Sequence, residues 1–316
     1  MTSTSHVVLG AGQIGTHIAR QLAEAGEAVA VATRSGRDLG IPGVRAVAVD
    51  AADPASVRAA TDGAATVYFA VQPAYTNWPK GFPPLVEGVL GGLAGTGRRL
   101  VVVDNLYMYG PTGGKPIVET LPYAATGRKG RARAAMSTRF LEAHRAGDVA
   151  VAIGRASDFF GPGATDTVVG ERFFPAIVAG KAAETYGDPD LLHSYTYAPD
   201  FARALIELGR HDEALGRAWH VPTAPAVSTR RFVELAAGAA GKPPKMKTLG
   251  KLMVRIGGLF IPEAREMLEL AYEFEEPFVL DDSAFRKAFG LEPTPLEESL
   301  AETVEWWAAQ EEEAAA

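Results

Sequence analysis

Cysteine is missing from all 316 residues. Its absence excludes disulfides, thiolate nucleophiles and zinc–thiolate sites, and it suits a reducing compartment. Long apolar runs are lacking too. The most apolar internal stretches are far too short to span a bilayer, and one of them, 252–261, is interrupted by Arg255. No basic segment followed by an apolar one opens the chain, so no secretory leader is expected. Positive charge is in deficit: 31 Lys and Arg against 38 Asp and Glu give a net charge of −7. A surface of that sign repels nucleic acid and anionic membranes. The expectation is a cytoplasmic protein whose partner is a small molecule, with neither nucleic acid nor membrane. The six histidines show no metal-ligand spacing, no Gly-x-Ser-x-Gly elbow is present, and no P-loop lysine follows the glycines. No metal is expected.

What remains is a chain that is 47% hydrophobic, with short apolar runs alternating with helical patterns. Residues 6–9 read as a strand, 13–25 as a helix ending at Gly26, and 28–33 and 44–49 as strands. Asp53 caps the next helix and Pro54 opens it. Apolar runs at 66–71 and 100–104 flank a helix expected over 84–93. Another helix is expected over 126–145, and 149–154 reads as a sixth strand. Fully apolar strands alternating with helices predict a doubly wound parallel α/β sheet covered on both faces. After Arg155 the pattern changes to loops rich in Gly and Pro, then to mostly helical segments. A dinucleotide-binding domain is therefore expected over 1–158, with 199–222 returning to it. A smaller substrate-binding lobe is expected over 159–198 and 223–316.

Gly10-Ala11-Gly12-Gln13-Ile14-Gly15 is a Gly-x-Gly-x-x-Gly run placed where the first strand ends and the first helix begins. Gly10 permits the tight turn, Gly12 lets the backbone approach a diphosphate, and Gly15 lets helix pack on strand. The second strand ends in Thr33-Arg34-Ser35-Gly36-Arg37, with no acid before Asp38. An acid there would hold ribose hydroxyls, whereas a guanidinium pairs with a 2′-phosphate, so NADP is expected in preference to NAD. The plain alternative leaves Arg34 as an exposed strand-end residue. The coenzyme set is Gly10, Gly12, Gln13, Ile14 and Gly15, then Thr33, Arg34 and Ser35. Asp50, Ala51, Ala70, Val71, Gln72 and Asn105, at later strand ends, complete it. Asp50 reaches the adenine in this reading, although capping of the adjoining helix is the plainer use of its segment.

With these pieces in hand, the chain resembles the short-chain dehydrogenase/reductase superfamily, in its extended and atypical epimerase/dehydratase-like branch. The resemblance runs from residue 7 to about 240. It is carried by Gly10 to Gly15, Asp50-Ala51-Ala52-Asp53, the segment 101–110 ending in Tyr109-Gly110, Arg155 followed by Phe160-Gly161-Pro162-Gly163, and Ser194-Tyr195-Thr196-Tyr197 with Asp200 and Ala202. The resemblance implies a Ser or Thr after the fifth strand that polarises a substrate carbonyl. It also implies a Tyr-x-x-x-Lys pair on the next helix that handles the proton. Here Asn105 takes the serine place, and no tyrosine has Lys four residues later. Tyr123 has glycine, Gly127, in the lysine place, and spacing back from Arg155 puts the pair nearer Gly127 and Arg131. A homodimer through the helices beside the fifth strand is a further expectation of the resemblance.

In place of the pair stands Arg128-Lys129-Gly130-Arg131-Ala132-Arg133. Cations in the first turns of a helix oppose its dipole. The run is therefore either a solvated basic face or the seat of an anion, and Lys129 and Arg133, one turn apart, can share a partner. Asn105, Tyr107, Lys129 and Arg131 form the candidate catalytic set, with Tyr107 the expected proton donor and Tyr109 a packing tyrosine. Tyr75, Trp78, Tyr107, Asp158 and His193 are the candidate substrate residues, with Gln72 beside them. The aromatic pair Tyr75 and Trp78 serves either as a pocket wall or as a loop anchor, and Asp158 and His193 either as acids or as structural hydrogen-bonders. Three functions are consistent with this pattern. They are reduction of a carbonyl on a small organic molecule, epimerisation or elimination on a sugar nucleotide, and redox sensing without turnover.

Overall fold

A computed structural model describes residues 5–249 and 268–315. The apolar stretch 252–261 lies outside the described residues. Contacts group the chain into two compact units, 1–108 with 128–155 and 201–221, and 109–127 with 156–200 and 222–316. The segment 109–127, assigned from sequence to the dinucleotide domain, belongs to the second unit.

The first unit is built on a seven-stranded parallel sheet. Its strands are β1 (Ser5–Leu9), β2 (Ala28–Thr33), β3 (Val44–Ala48), β4 (Thr66–Phe69), β5 (Arg99–Asp104), β6 (Ala150–Arg155) and a short last strand, Ala218–His220. The spatial order is β3, β2, β1, β4, β5, β6 and then Ala218–His220. The order reverses between β1 and β4, which opens a crevice at the carboxyl ends of those strands, where ligands bind in folds of this kind. Alternation along each strand sorts side chains by face. Val7 and Leu9, Val67 and Phe69, Leu100 and Val102, and Val151 and Ile153 join one core with Phe82, Val86, Val89, Met136 and Phe140. Those last residues come from helices α3 (Trp78–Leu93) and α4 (Arg128–Arg145). Residues of the opposite face, including Val8, Val31, Tyr68, Val101 and Ala152, are buried as well.

Helix α1 (Gln13–Glu24) buries Ile14, Ile18 and Leu22 along one stripe, as its 3.6-residue period requires. In α2 (Pro54–Ala60) the Asp53 carboxylate accepts from the N–H groups of Ala55 and Ser56, and Pro54 occupies the first turn, where no N–H is needed. Helix α3 begins six residues before the expected start at residue 84. Pro83 and Pro84 lie inside it, and each removes one helical hydrogen bond. Buried Trp78 and Phe82 anchor the early turns in the core and offset that loss.

The second unit combines three two-stranded ladders with helices. Asp158–Phe160 pairs in parallel with Tyr195–Tyr197, Ala183–Tyr186 in parallel with Met246–Leu249, and Leu192–His193 antiparallel with Val227–Ser228. Phe160, Phe173, Phe174, Tyr195, Phe232, Leu300 and Trp307 form its core. Its described helices are Phe174–Val178, Thr229–Ala239, Ser283–Phe289 and Leu296–Ala315. No described helix is long and apolar enough to cross a membrane.

Candidate functional site

The loop after β1 is shaped by close backbone approach. Gly10 has φ +106°, and a Cβ there would lie 2.6 Å from the Ala70 carbonyl oxygen. A Cβ at Gly15 would run into the carbonyl oxygen of Gly10. Gly12 faces open space, with nothing within 4 Å of where its Cβ would be. Gly12 is also the N-cap of α1, with no side-chain cap and no acid in the first turn. The helix therefore presents its first N–H groups, and the positive end of its dipole, to an uncovered approach. The Gln13 Oε1 atom is buried with no hydrogen-bond partner. The uncapped start of α1 and the open space over Gly12 fit a dinucleotide diphosphate seated there.

The tip of β2 closes in a tight turn. Thr33 O accepts from Gly36 N at 3.2 Å and Thr33 Oγ1 from Arg37 N at 3.3 Å, leaving Arg34, Ser35 and Arg37 exposed. Asp50 also shapes backbone: its Oδ1 accepts from Ala52 N, and its own N–H donates to Ser56 Oγ, each at 3.0 Å. Ala51 is buried and Asp50 exposed. Beyond β4, Val71 is half-buried and Gln72 is exposed.

A buried ionic cluster stands at the end of β5. Asp104 accepts from Ser137 Oγ at 2.6 Å, Arg155 Nε at 3.2 Å and Arg133 Nη1 at 3.5 Å. Arg133 also donates to Gln72 Oε1 at 2.9 Å, and its guanidinium lies 4.3 Å from the Trp78 ring and 4.7 Å from Phe82. Burial pushes the Arg133 guanidinium below its usual range, opposed by Asp104, Tyr107 and Tyr75. Lys129, 1% exposed, donates to the Tyr75 carbonyl oxygen. Its Nζ sits 3.4 Å from the centre of the Tyr75 ring and 4.9 Å from that of Trp78. Tyr107 lies in the turn Tyr107–Tyr109 and stacks on Trp78 at 5.9 Å and 24°. Asn105 Oδ1 accepts from Tyr107 N at 3.2 Å, which turns the rest of the amide away from that contact.

This arrangement corrects two expectations. The basic run is not one solvated face: Arg128 and Arg131 are exposed, while Lys129 and Arg133 are buried. The register near Gly127 and Arg131 also fails. Gly127 precedes α4, and two residues along a helix turn about 200°, so Arg131 points away from the side that Lys129 and Arg133 share. The inward pair four residues apart on this helix is Lys129 and Arg133. Their contacts are aromatic faces, carbonyls and a carboxylate of the same unit. The ionic role of Asp104 escaped the sequence reading, although a carboxylate closing the apolar run Leu100-Val101-Val102-Val103 was a signal that a cationic partner must exist.

In the second unit, two residues separated by 35 positions meet. His193 Nε2 and Asp158 Oδ2 are 3.0 Å apart, and His193 Nδ1 lies 3.1 Å from the Glu273 carbonyl oxygen. A carbonyl only accepts, so Nδ1 carries a proton. The ring is enclosed by Tyr195, Phe274 and Phe278. Glu273, 1% exposed, has an Oε1 atom without a partner, and burial together with the charge of Asp158 holds its carboxyl well above the usual range. No sequence signal marked Glu273. Tyr109 is buried against Tyr123, at 6.0 Å, as a packing residue. Among the described residues no group of His, Asp or Glu could hold a metal ion.

Two family profiles match. One, described as NAD(P)H-binding, covers residues 10–144, and the other, the NAD dependent epimerase/dehydratase family, covers 89–221. No curated protein matches the chain. Among solved structures, an epimerase from the methanogen Methanothermobacter thermautotrophicus is similar at 16% identity and a TM-score of 0.81, covering 99% of this chain and 94% of that one. UDP-glucuronic acid 4-epimerase from Bacillus cereus, solved with NAD, gives 14% identity and 0.77 over 97% and 99%. The dTDP-glucose 4,6-dehydratase of Bacillus anthracis, also with NAD, gives 17% and 0.77 over 98% of each chain. At these identities the structures speak for the fold. The two profiles overlap and together run from 10 to 221, on a sheet whose order reverses beside the glycine loop; the chain is similar to NAD(P)H-binding proteins over the first span and to the NAD dependent epimerase/dehydratase family over the second.

Proposed function

We propose that this protein uses NAD(P) to interconvert a carbinol and a carbonyl within a sugar nucleotide or a similar substrate, as an epimerase or dehydratase. The observation that carries the reading is the uncovered approach over Gly12, flanked by two glycines whose neighbours leave no room for a side chain. The matching epimerase/dehydratase profile, and the epimerases and dehydratase of like fold, support the choice of chemistry. When bound, NAD(P) supplies a nicotinamide that takes up or returns a hydride. The chain's own groups do the rest. Main-chain N–H groups at the start of α1 bind the diphosphate. The exposed Arg34, with Ser35 and Arg37 beside it, binds a 2′-phosphate and makes NADP the preferred form. The Asn105 amide donates to the substrate oxygen whose charge changes.

A second reading, net reduction of a carbonyl on a small organic molecule, is favoured by the same Arg34 and by the lack of an acid at the tip of β2. Both readings are tested by calorimetry with NAD, NADP and their reduced forms, followed by incubation with a panel of nucleotide sugars and free carbonyl compounds. An epimerised or dehydrated product with no net change in nicotinamide absorbance supports the first reading. Stoichiometric loss of NADPH supports the second. Absence of binding to every coenzyme form refutes both.

A further inference from the structure

We propose that Tyr75 carries the catalytic proton, and that Lys129 and Arg133 are positioning residues that hold its ring and stabilise negative charge on its oxygen. This rests on the NAD(P)-dependent reading above. Tyr107 was the phenol expected from sequence, and the geometry points instead to Tyr75. The ammonium of Lys129 lies against the face of the Tyr75 ring at 3.4 Å from its centre, and the same Nζ donates to the carbonyl of Tyr75. One side chain thus fixes both the ring and the backbone of this residue. A cation against a ring face is attracted to the phenol and attracted more strongly once the phenol has lost its proton.

Arg133 adds to the same effect. Its guanidinium is 5% exposed, with Nε lacking any hydrogen-bond partner, and it interacts electrostatically with both Tyr75 and Tyr107. Negative charge on these phenols favours the charged guanidinium, and by the same coupling the guanidinium favours negative charge on them. Trp78 holds the group together: its ring meets Tyr75 edge-on at 5.3 Å, and both cations lie over it. Tyr75 itself is only half-buried, in the segment just beyond β4, on the carboxyl side of the sheet. As phenolate, Tyr75 takes the proton of a substrate hydroxyl when the carbinol is oxidised, while the hydride goes to NAD(P). As phenol it returns that proton to the oxygen when the carbonyl is reduced.

The test is an ultraviolet titration of phenolate in the whole protein, which needs no turnover. Burial pushes the hydroxyls of Tyr68, Tyr195, Tyr197 and Tyr272 upward, so four of the nine tyrosines leave the low-pH range clear. One phenolate is expected at least about one pH unit below the remaining tyrosines. It disappears in Tyr75→Phe and persists in Tyr186→Phe. Lys129→Met moves it upward and Lys129→Arg restores it, which loss of packing alone does not explain. With an active substrate, Tyr75→Phe lowers kcat by roughly 100-fold or more with little change in KM, and calorimetry shows coenzyme binding retained. The proposal is overturned if wild type shows no such low titration, or if the titration is lost in Tyr107→Phe and kept in Tyr75→Phe. Failure of wild type to bind any coenzyme refutes the proposed function, while the titration still decides the state of Tyr75.

Discussion

Three glycines within six residues make different demands, and substitutions separate them. At Gly12 the N-cap backbone has φ −77°, which any residue adopts, and the space beyond is open. Gly12→Val should therefore change fold stability by no more than about 1 kcal/mol. The new side chain stands where the diphosphate must come, so coenzyme affinity should fall at least about tenfold. Gly15→Ala does the reverse. Its methyl group meets the Gly10 carbonyl and should cost roughly 1–3 kcal/mol in urea unfolding. If Gly12→Val destabilises as much as Gly15→Ala, the loop is not preformed for a ligand. Arg34 provides an independent check. Arg34→Ala should weaken NADP binding by roughly 10- to 100-fold and leave NAD unchanged, as expected for loss of one charge-assisted contact. Equal weakening of both coenzymes, or of neither, would return Arg34 to the role of an exposed strand-end residue.

At the scale of elements, β5, β6 and α4 are tied together through one carboxylate. Asp104 closes β5, Arg155 closes β6, and Arg133 and Ser137 project from α4. Asp104→Ala leaves two guanidiniums buried without their anion and should lower stability by about 3–5 kcal/mol. Adding Arg133→Met to that variant should recover part of the loss, since one stranded charge is then removed. A double variant less stable than Asp104→Ala would argue that packing, rather than charge, dominates there. This cluster also shows what the sequence made legible. The strands, the glycine loop and the Asp53 cap were readable because each depends on neighbours within a few residues. The start of α3 was not, because Trp78 and Phe82 hold it through burial in a core assembled from distant strands. Nor was the inward face of α4. A run with cations at 128, 129, 131 and 133 has no apolar stripe to show which of them turn inward. Asp104, Gln72, Tyr75, Trp78 and Phe82, from elements far along the chain, receive Lys129 and Arg133 there. Asp158 and His193 were legible as residue types, yet their pairing depends on Glu273, which lies 80 residues beyond His193.

At the scale of the whole molecule, individual carboxyls in the two units carry opposite pH signatures. In the first, burial works against the Glu27 carboxylate, but hydrogen bonds and charges from Arg210 and His6 outweigh it and hold its pKa below the usual 4.5. That contribution is present above pH 4.5 and is lost as pH falls through the lowered value. In the second unit, burial and the charge of Asp158 raise Glu273, and burial raises Asp282 against its bonds from Thr223 and Arg286. A raised carboxyl contributes fully below its unfolded pKa and loses that contribution as pH climbs through its folded pKa. Stability of the second unit should therefore decline above about pH 4.5, with a slope from Glu273 approaching roughly 1.4 kcal/mol per pH unit. Glu273→Gln keeps a neutral amide in the same volume and removes that slope, and Asp158→Asn weakens it by withdrawing the neighbouring charge. Scanning calorimetry between pH 4 and pH 8 would reveal both effects. The assignment fails if the Gln variant keeps the slope of wild type, for then a group other than Glu273 governs the second unit.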